Sequence, residues 1–411
     1  MNINHLNESS ILNFFLILMM ILVILTIGYM PLIGYGLCLI LLSLGVGSNN
    51  FFSRIFLTIG VIFSSSVIVG SRTFNIGASN DDFSNYYFPR YIDISYGSTI
   101  FDPAFAGGLE FLLPLLFKMI SSLSGGSQSA PLLLFLNVFI SQTILYCWLE
   151  KFGLKNISQD KKSLCIAFTF IFFSILMPVQ FFRQVYSSLF VLFSLSYFFD
   201  KKIIKTILYL VLAALFHTSA LFIFFIFYLM MSESKRNHII IISLSIVISI
   251  FLIPVMYFIS KYNLLGAATY KINFYLLGGT ENLFGNFGKL KFVILMLVLK
   301  YFYFIKDEGF SKYNNLINIA GISYCFLVFI PVLPERIFNI YIAIIFGYLL
   351  FLSTYRVEYL IRIILCFFII YKIYNYCFDY HYLNMLNFSY SGLWYSYTWF
   401  GDTMFYYFNS F

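Results

Sequence analysis

Long apolar runs recur from one end of the chain to the other, and they constrain the fold more than any other feature. Runs of about sixteen to twenty residues match the length of a helix that crosses a bilayer. The runs are continuous rather than alternating in polarity, which indicates helices rather than the strands of a barrel. Only 10% of the 411 residues are charged, whereas soluble domains carry roughly 25%. The sequence therefore predicts an all-α, polytopic membrane protein.

We predict about thirteen transmembrane helices that form a single integral membrane domain over residues 1–411. The predicted spans are 11–29, 32–47, 53–70, 131–149, 163–181, 184–199, 203–216, 218–231, 239–259, 290–305, 315–331, 337–353 and 358–376. One further segment, "GGLEFLLPLLFKMISSL" (107–123), holds Glu110 and Lys118 among its leucines. We interpret this segment as a re-entrant or amphipathic interfacial helix within an outer-face loop, residues 71–130.

Basic residues alternate between successive loops, and this alternation predicts the orientation. Short cytoplasmic loops are enriched in Lys and Arg, so the lysine-rich loops 150–162 and 200–205 are expected inside. The same alternation places inside the other basic positions that share their parity: Arg54, Lys235 and Arg236, Lys306 and Lys312, and Arg356 and Arg362. Loop 71–130 and the aromatic-rich C-terminal tail, residues 377–411, are then outside. The stretch from Lys261 to Lys291 carries four lysines on the predicted outer side, and the charge bias does not explain them.

Four of the eight arginines also fall on the predicted outer side: Arg72, Arg90, Arg183 and Arg336. Arg183 stands beside Gln184 in "MPVQFFRQVYSSLF", between two long apolar runs. Guanidinium groups bind phosphate through paired N–H groups and keep their charge. We therefore predict that these four arginines and Gln184 bind the pyrophosphate or the glycan of a substrate.

Candidate bases lie on the same predicted side: Asp81, Asp82, Glu110 and His217. A carboxylate or an imidazole can take a proton from a sugar hydroxyl. Six aromatic residues precede Asp93 in the same loop, and aromatic rings offer apolar faces to sugars. A lipid pyrophosphate that carries an oligosaccharide would meet all three kinds of group at the outer leaflet. The sequence does not choose among the four bases.

Each candidate also has a structural interpretation. Arg183 can snorkel at a helix end, and Arg336 can pair with its neighbour Glu335. His217 stands alone in an apolar hairpin and can be a hydrogen-bonded structural histidine. The cysteines and histidines form no metal-binding motif, so no metal and no cofactor are predicted. The net charge of +8 arises from short loops and does not indicate nucleic acid.

Several motifs together resemble the EpsG/Wzy-type polysaccharide polymerases of bacterial surface-glycan loci. An arginine after the third span is followed by "IGASNDDFSNYY" and "GGLEFLLPLLFKMIS", and later by "FFRQVYSSLFVLFSLSYFFDKK" and "AALFHTSALF". This resemblance runs from about residue 70 to residue 231, and the C-terminal third adds the Pro-Glu-Arg turn at 334–336.

The resemblance implies an O-antigen or related polymerase, a glycosyltransferase of the bacterial inner membrane whose active site faces the periplasm or the outside. Its implied substrate is an oligosaccharide linked to undecaprenyl pyrophosphate, and its implied architecture is a GT-C-like multispan fold. Membrane lipid and a chain-length regulator are the other partners considered, and the implied reaction is inverting and independent of metal. A flippase or transporter of lipid-linked oligosaccharide, an O-antigen ligase and an acyltransferase are the alternatives. The sequence shows no internal repeat of the kind that is typical of transporters. An acyltransferase would need its histidine to face cytoplasmic acyl-CoA, whereas His217 is predicted on the outer side.

Overall fold

The computed structural model describes residues 3–48, 50–71, 82–126, 128–173, 177–266, 279–305, 307–378 and 403–410, together with residues 269, 272, 273 and 276. All regular elements within these residues are helical. The contacts divide the chain into two compact units. Unit 1 comprises Met1–Tyr186 and Tyr359–Phe411, and unit 2 comprises Ser187–Glu358.

The helices follow one another with short connections. They are α1 (Ile3–Tyr29), α2 (Pro31–Ser43), α3 (Phe51–Gly70), α4 (Phe88–Ser95), α5 (Leu112–Leu123), α6 (Ala130–Trp148), α7 (Lys162–Phe172), α8 (Met177–Gln180), α9 (Phe182–Phe199), α10 (Ile203–Phe216), α11 (Ala220–Met231), α12 (Lys235–Lys261), α13 (Gly279–Tyr303), α14 (Ser311–Leu327), α15 (Leu333–Ile337), α16 (Phe346–Ser353) and α17 (Glu358–Phe378). Single π-helical turns cover Phe83–Tyr87, Leu149–Gly153 and Ile340–Ile344.

Helix α3 lies at the centre of unit 1 and packs against α1, α2, α6 and α7. Small residues make this close packing possible, as in other membrane helix bundles. A Cβ atom added at Gly60 would lie 2.7 Å from the Cys38 sulfur on α2. The Ser65 hydroxyl donates a 2.8 Å hydrogen bond to Gln142 on α6. The buried hydroxyls of Ser65 and Ser66 are therefore satisfied by hydrogen bonds within the bundle.

One end of unit 1 is fastened by polar contacts between the loop after α2, the loop after α6 and the start of α17. Arg54 pairs with Glu150 through both carboxylate oxygens, at 3.0 and 3.2 Å. The Ser48 hydroxyl donates to the Asp160 carbonyl at 2.9 Å. Arg362 donates to the carbonyls of Ser43 and Asp160. These contacts hold two loops and the start of α17, all predicted to be inside, at the same end of the unit.

The end of the C-terminal tail packs into unit 1 beside the last turn of α1. The Phe405 N–H donates to the Gly28 carbonyl at 3.0 Å, and the Tyr407 hydroxyl donates to the Ile27 carbonyl at 3.1 Å. Tyr407 is fully buried, and its ring lies against Phe63 of α3. The carbonyls at the end of a helix have no partner within the helix, so residues 403–410 supply partners for two carbonyls at the end of α1.

Unit 2 is built around α14, which packs against α11, α12 and α13. At one end, the Arg356 N–H donates to the Tyr303 carbonyl and the Asn315 amide donates to the Ser232 carbonyl. Lys312 also lies over the Phe199 ring at 5.3 Å. Four connections that are predicted to be inside, those after α9, α11, α13 and α16, therefore meet at this end. At the other end, α13 contacts the turn between α14 and α15.

Among the described residues, four helical segments are long and apolar enough to cross a membrane: Phe51–Gly70, Ala130–Gly153, Lys235–Lys261 and Glu358–Tyr376. Five shorter apolar helical segments accompany them: Phe15–Tyr29, Pro31–Ser43, Leu112–Leu123, Ile203–Phe216 and Ala220–Met231. Helices α12 and α17 expose most of their apolar side chains. Such surfaces need a hydrocarbon solvent, so this is an all-α membrane protein. The predicted number of spans remains a prediction.

Two predicted spans differ from the observed helices. The span predicted at 163–181 is interrupted, because α7 ends at Phe172 and Phe173 has an extended backbone. The span predicted at 337–353 is divided into a π-helical turn, Ile340–Ile344, and α16. Apolar runs measure the length of buried chain and carry little information on where a helix breaks within it. Within the predicted amphipathic segment, α5 has 12 residues, about 18 Å of helix, which is less than the ~30 Å of a hydrocarbon core. Helix α11, in the predicted span 218–231, is equally short.

Candidate functional site

Residues 82–126 form a compact segment that we call the outer segment, after its predicted location. It begins with the π-helical turn Phe83–Tyr87 and α4, and it ends with α5. Between the helices, the Asp102 carboxylate accepts a 2.8 Å hydrogen bond from the Ala104 N–H. The backbone then reverses at Gly107 and Gly108, which have φ angles of 68° and 91°. Glycine tolerates such angles at little cost, and the reversal delivers Glu110 to the interior.

The aromatic side chains of the outer segment pack mainly on one another and on the start of α9. Tyr87 stacks on Phe182 with ring centroids 4.7 Å apart. Phe83 and Phe117 also contact Phe182, at 5.8 and 6.2 Å. Rings in this arrangement gain from burial and from offset contacts. They therefore anchor the outer segment beside Arg183 and do not form an open platform for sugars.

Arg183 and Glu110 form an ion pair at the centre of this arrangement. The guanidinium Nη1 lies 2.8 Å from the Glu110 Oε2, although the two residues are 73 positions apart. The Glu110 side chain is 1% exposed, whereas Arg183 keeps 25% of its side chain exposed. The guanidinium also lies over the rings of Tyr86 and Phe105, 5.4 Å from each centroid. A carboxylate and two ring faces thus hold one partly exposed cation in a fixed orientation.

The tyrosines around Arg183 are held in their neutral form. Burial raises the pKa of Tyr86 and of Tyr87, and the positive charge of Arg183 offsets part of the increase. The neutral Tyr86 hydroxyl donates a 2.6 Å hydrogen bond to the Ala104 carbonyl. This hydrogen bond fixes the Tyr86 ring, which covers the guanidinium, to the turn that carries Phe105.

Arg90 and Asp82 lie in the outer segment but not in the Arg183 pair. The Arg90 guanidinium lies 3.5 Å from the carboxylates of Asp93 and Asp102. The Asp82 backbone N–H donates to the Gln180 side chain at 3.2 Å, and the Asp82 residue is exposed. Arg90 thus fastens α4 to the turn at Asp102, a role that the sequence did not indicate.

The remaining predicted residues have different locations. Gln184 is buried in α9. His217 is half-buried at the end of α10, and Arg336 is exposed in α15, so both lie in unit 2. Arg72 and Asp81 lie outside the described residues.

The structure brings together two predicted residues, Arg183 and Glu110, and adds Tyr86, Tyr87 and Phe105 around them. Sequence reasoning missed these three as partners of the arginine. Aromatic residues are common throughout the chain, which has 22% of them, so no local signal distinguishes a ring that covers a cation. Lys289 was also missed: it pairs with Glu335 at 2.5 Å.

Comparison with known protein families gives a match over most of the chain. A model of the EpsG family matches residues 54–399, which include both partners of the ion pair. The chain belongs to the EpsG family. This assignment confirms the resemblance seen in the motifs. EpsG membership supports a membrane polysaccharide polymerase in general terms. No curated protein and no solved structure matches the chain.

Proposed function

We propose that this EpsG-family protein joins oligosaccharide repeat units carried on undecaprenyl pyrophosphate into a surface polysaccharide. The transfer takes place at the outer face of the bacterial inner membrane. The observation that carries the proposal is the Arg183 guanidinium, which is held by a buried carboxylate and two rings yet keeps a quarter of its side chain exposed. A cation prepared in this way suits a phosphate that gains charge during a reaction.

The reaction is an inverting glycosyl transfer. A hydroxyl of the acceptor sugar attacks the anomeric carbon of the donor glycan, and the bond from that carbon to the pyrophosphate oxygen breaks. Undecaprenyl pyrophosphate leaves with the bonding electrons, and the hydroxyl proton passes to a base on the protein. Negative charge develops on the leaving pyrophosphate, so Arg183 stabilises the transition state more than the ground state.

Glu110 positions Arg183 in this proposal. Its carboxylate is buried against the guanidinium, where a sugar hydroxyl would have to compete with a charged partner. A carboxylate in that setting fixes the orientation of the guanidinium. The proton then passes to Asp82, Asp81 or His217, among which the proposal makes no choice. Asp82 is the exposed member that lies within the outer segment.

The contacts at the ends of each unit support the orientation that the transfer needs. Loops predicted to be inside meet one another in unit 1 through Ser48, Asp160 and Arg362. The inner connections of unit 2 likewise meet at a single end. The outer segment and the Arg183 pair then face the leaflet in which translocated lipid-linked units are found. Membrane lipid surrounds the helices, and a chain-length regulator is the partner protein considered.

The product pattern of a mutant strain separates this function from that of a flippase. A polymerase acts after repeat units have crossed the membrane, so we expect Arg183→Ala cells that contain a ligase to show core plus one repeat unit on a gel of surface glycolipid. The wild-type gene supplied in trans should restore the long polymer. Bare core without a single-unit band, with lipid-linked units accumulating on the cytoplasmic side, would contradict the polymerase and favour a transporter.

A further inference from the structure

We infer that Asn286 and Lys289 of α13 clamp the turn that carries Arg336 and are positioning residues for the proposed transfer. The turn comprises residues 328–338, between α14 and the π-helical turn that precedes α16. The inference rests on the proposed function, because it assigns Arg336 to a pyrophosphate group of a lipid-linked substrate. It concerns unit 2 alone.

Asn286 holds the first part of the turn. Its side-chain amide donates to the carbonyls of Val328 and Ile330, at 3.2 and 3.1 Å. Asn286 is fully buried, and its backbone carbonyl accepts a hydrogen bond from the Tyr324 hydroxyl at 3.1 Å. The two bonded carbonyls follow the end of α14, where helical partners are missing. In an apolar environment such carbonyls need a donor, and Asn286 supplies it.

Lys289 holds the second part of the turn. It lies three residues after Asn286 and therefore on the same face of α13. Its ammonium nitrogen lies 2.5 Å from the Glu335 carboxylate, the residue directly before Arg336. This contact accounts for one of the lysines that the charge bias left unexplained on the predicted outer side. Glu335 therefore has a charged partner on α13.

The backbone between the two attachment points is strained. Val332 has a φ of 64°, a left-handed conformation that is rare for a β-branched residue. Such conformations persist where surrounding contacts determine the path of the chain, and they are frequent at functional sites. Attachment at residues 328–330 and at residue 335 provides those contacts. The Arg336 N–H donates to the Val332 carbonyl at 3.2 Å, so the strained residue sets the position of the arginine.

A charge-swap experiment tests the clamp through the polymer that cells make. The variants are Lys289→Glu, Glu335→Lys and the double exchange, with Lys291→Glu as the matched control because Lys291 lies over the Phe292 ring at 5.2 Å. Displacing a reacting group by about 1 Å can cost a hundredfold in rate, so we expect each single exchange to lower polymer yield by about tenfold or more. The double exchange should recover most of the yield, and the control should match the wild type.

A double exchange as defective as the single ones, with a wild-type melting temperature, would overturn the inference. So would a Lys291→Glu control that is as defective as Lys289→Glu.

A second measurement follows the clamp through the stability of the purified protein. In detergent, Lys289→Glu and Glu335→Lys should each lower the melting temperature, because each exchange places two like charges together, and the double exchange should recover most of the loss. Lys291→Glu should leave the melting temperature unchanged. Equal melting temperatures for the wild type and both single exchanges would overturn the clamp whatever the polymer yield. Failure of the polymerase function would appear instead as bare core in the glycolipid gel, with this pattern of melting temperatures still present.

Discussion

Arg183 owes its chemistry to the groups that restrain it, and a change that keeps its charge tests this. Lysine is a point charge without a planar fork, so Arg183→Lys would lose the geometry set by Glu110, Tyr86 and Phe105. Removing one preorganised donor to developing charge costs roughly 2.7–4 kcal/mol. We expect polymer yield to fall about a hundredfold or more at unchanged protein level. The exposed Arg236→Lys is the control, and a normal glycan ladder in Arg183→Lys cells would show that Arg183 only anchors its helix end.

Sequence reasoning at this scale found the residue types but not the partners. Arg183 and Glu110 attracted attention because charges in an apolar chain need a reason. Their 2.8 Å contact joins positions 73 residues apart, and only the fold determines such a distance. Lys289 appeared only as an exception to the charge bias. Its partner, Glu335, could not be recognised because it lies 46 residues away in the sequence.

Among the elements, the end of the C-terminal tail shows how a short segment can complete a helix. Helix α2 has 13 residues, about 20 Å of helix, which is shorter than the ~30 Å thickness of the hydrocarbon core. The connection between α1 and α2 therefore stays below the outer surface of the hydrocarbon. Carbonyls at the end of α1 would then lack water, and Phe405 and Tyr407 serve them. The sequence predicted an aromatic tail on the outer side, but periodicity carries no information on a tail that returns to the first helix.

This capping predicts a loss of stability in Tyr407→Phe, which keeps the ring and removes the hydroxyl. A buried carbonyl left without its donor costs about 1–3 kcal/mol. We expect a lower melting temperature for the purified protein in detergent. The same change at Tyr359, which is 84% exposed, should leave the melting temperature unaltered. Equal melting temperatures for Tyr407→Phe and the wild type would show that the hydroxyl does not stabilise α1.

For the molecule as a whole, the sequence predicted the fold class best and the breaks within its helical spans least well. Hydropathy over 411 residues is sufficient for an all-α membrane protein, because no other solvent accepts so much apolar surface. The break after α7 and the π-helical turn before α16 depend on side-chain packing, which an average over a window removes.

Orientation is testable with single cysteines in a protein without natural ones. Ser98 is exposed in the outer segment, and Ser158 is exposed in the lysine-rich loop after α6. The positive-inside rule places Ser98→Cys outside and Ser158→Cys inside. An impermeant thiol reagent added to intact spheroplasts should label position 98 and should label position 158 only after lysis. The opposite result would invert the topology and remove the outer location of the Arg183 pair.

The most direct test of the central claim is a reconstitution that contains only the protein and its proposed substrate. The purified protein would be placed in proteoliposomes with undecaprenyl-pyrophosphate-linked repeat units on the same side as the outer segment. We predict a ladder of polymer and one molecule of undecaprenyl pyrophosphate released for each new linkage. The Arg183→Ala protein should give neither. Wild-type vesicles that form no polymer, while lipid-linked units move from one leaflet to the other, would contradict the account and identify a transporter.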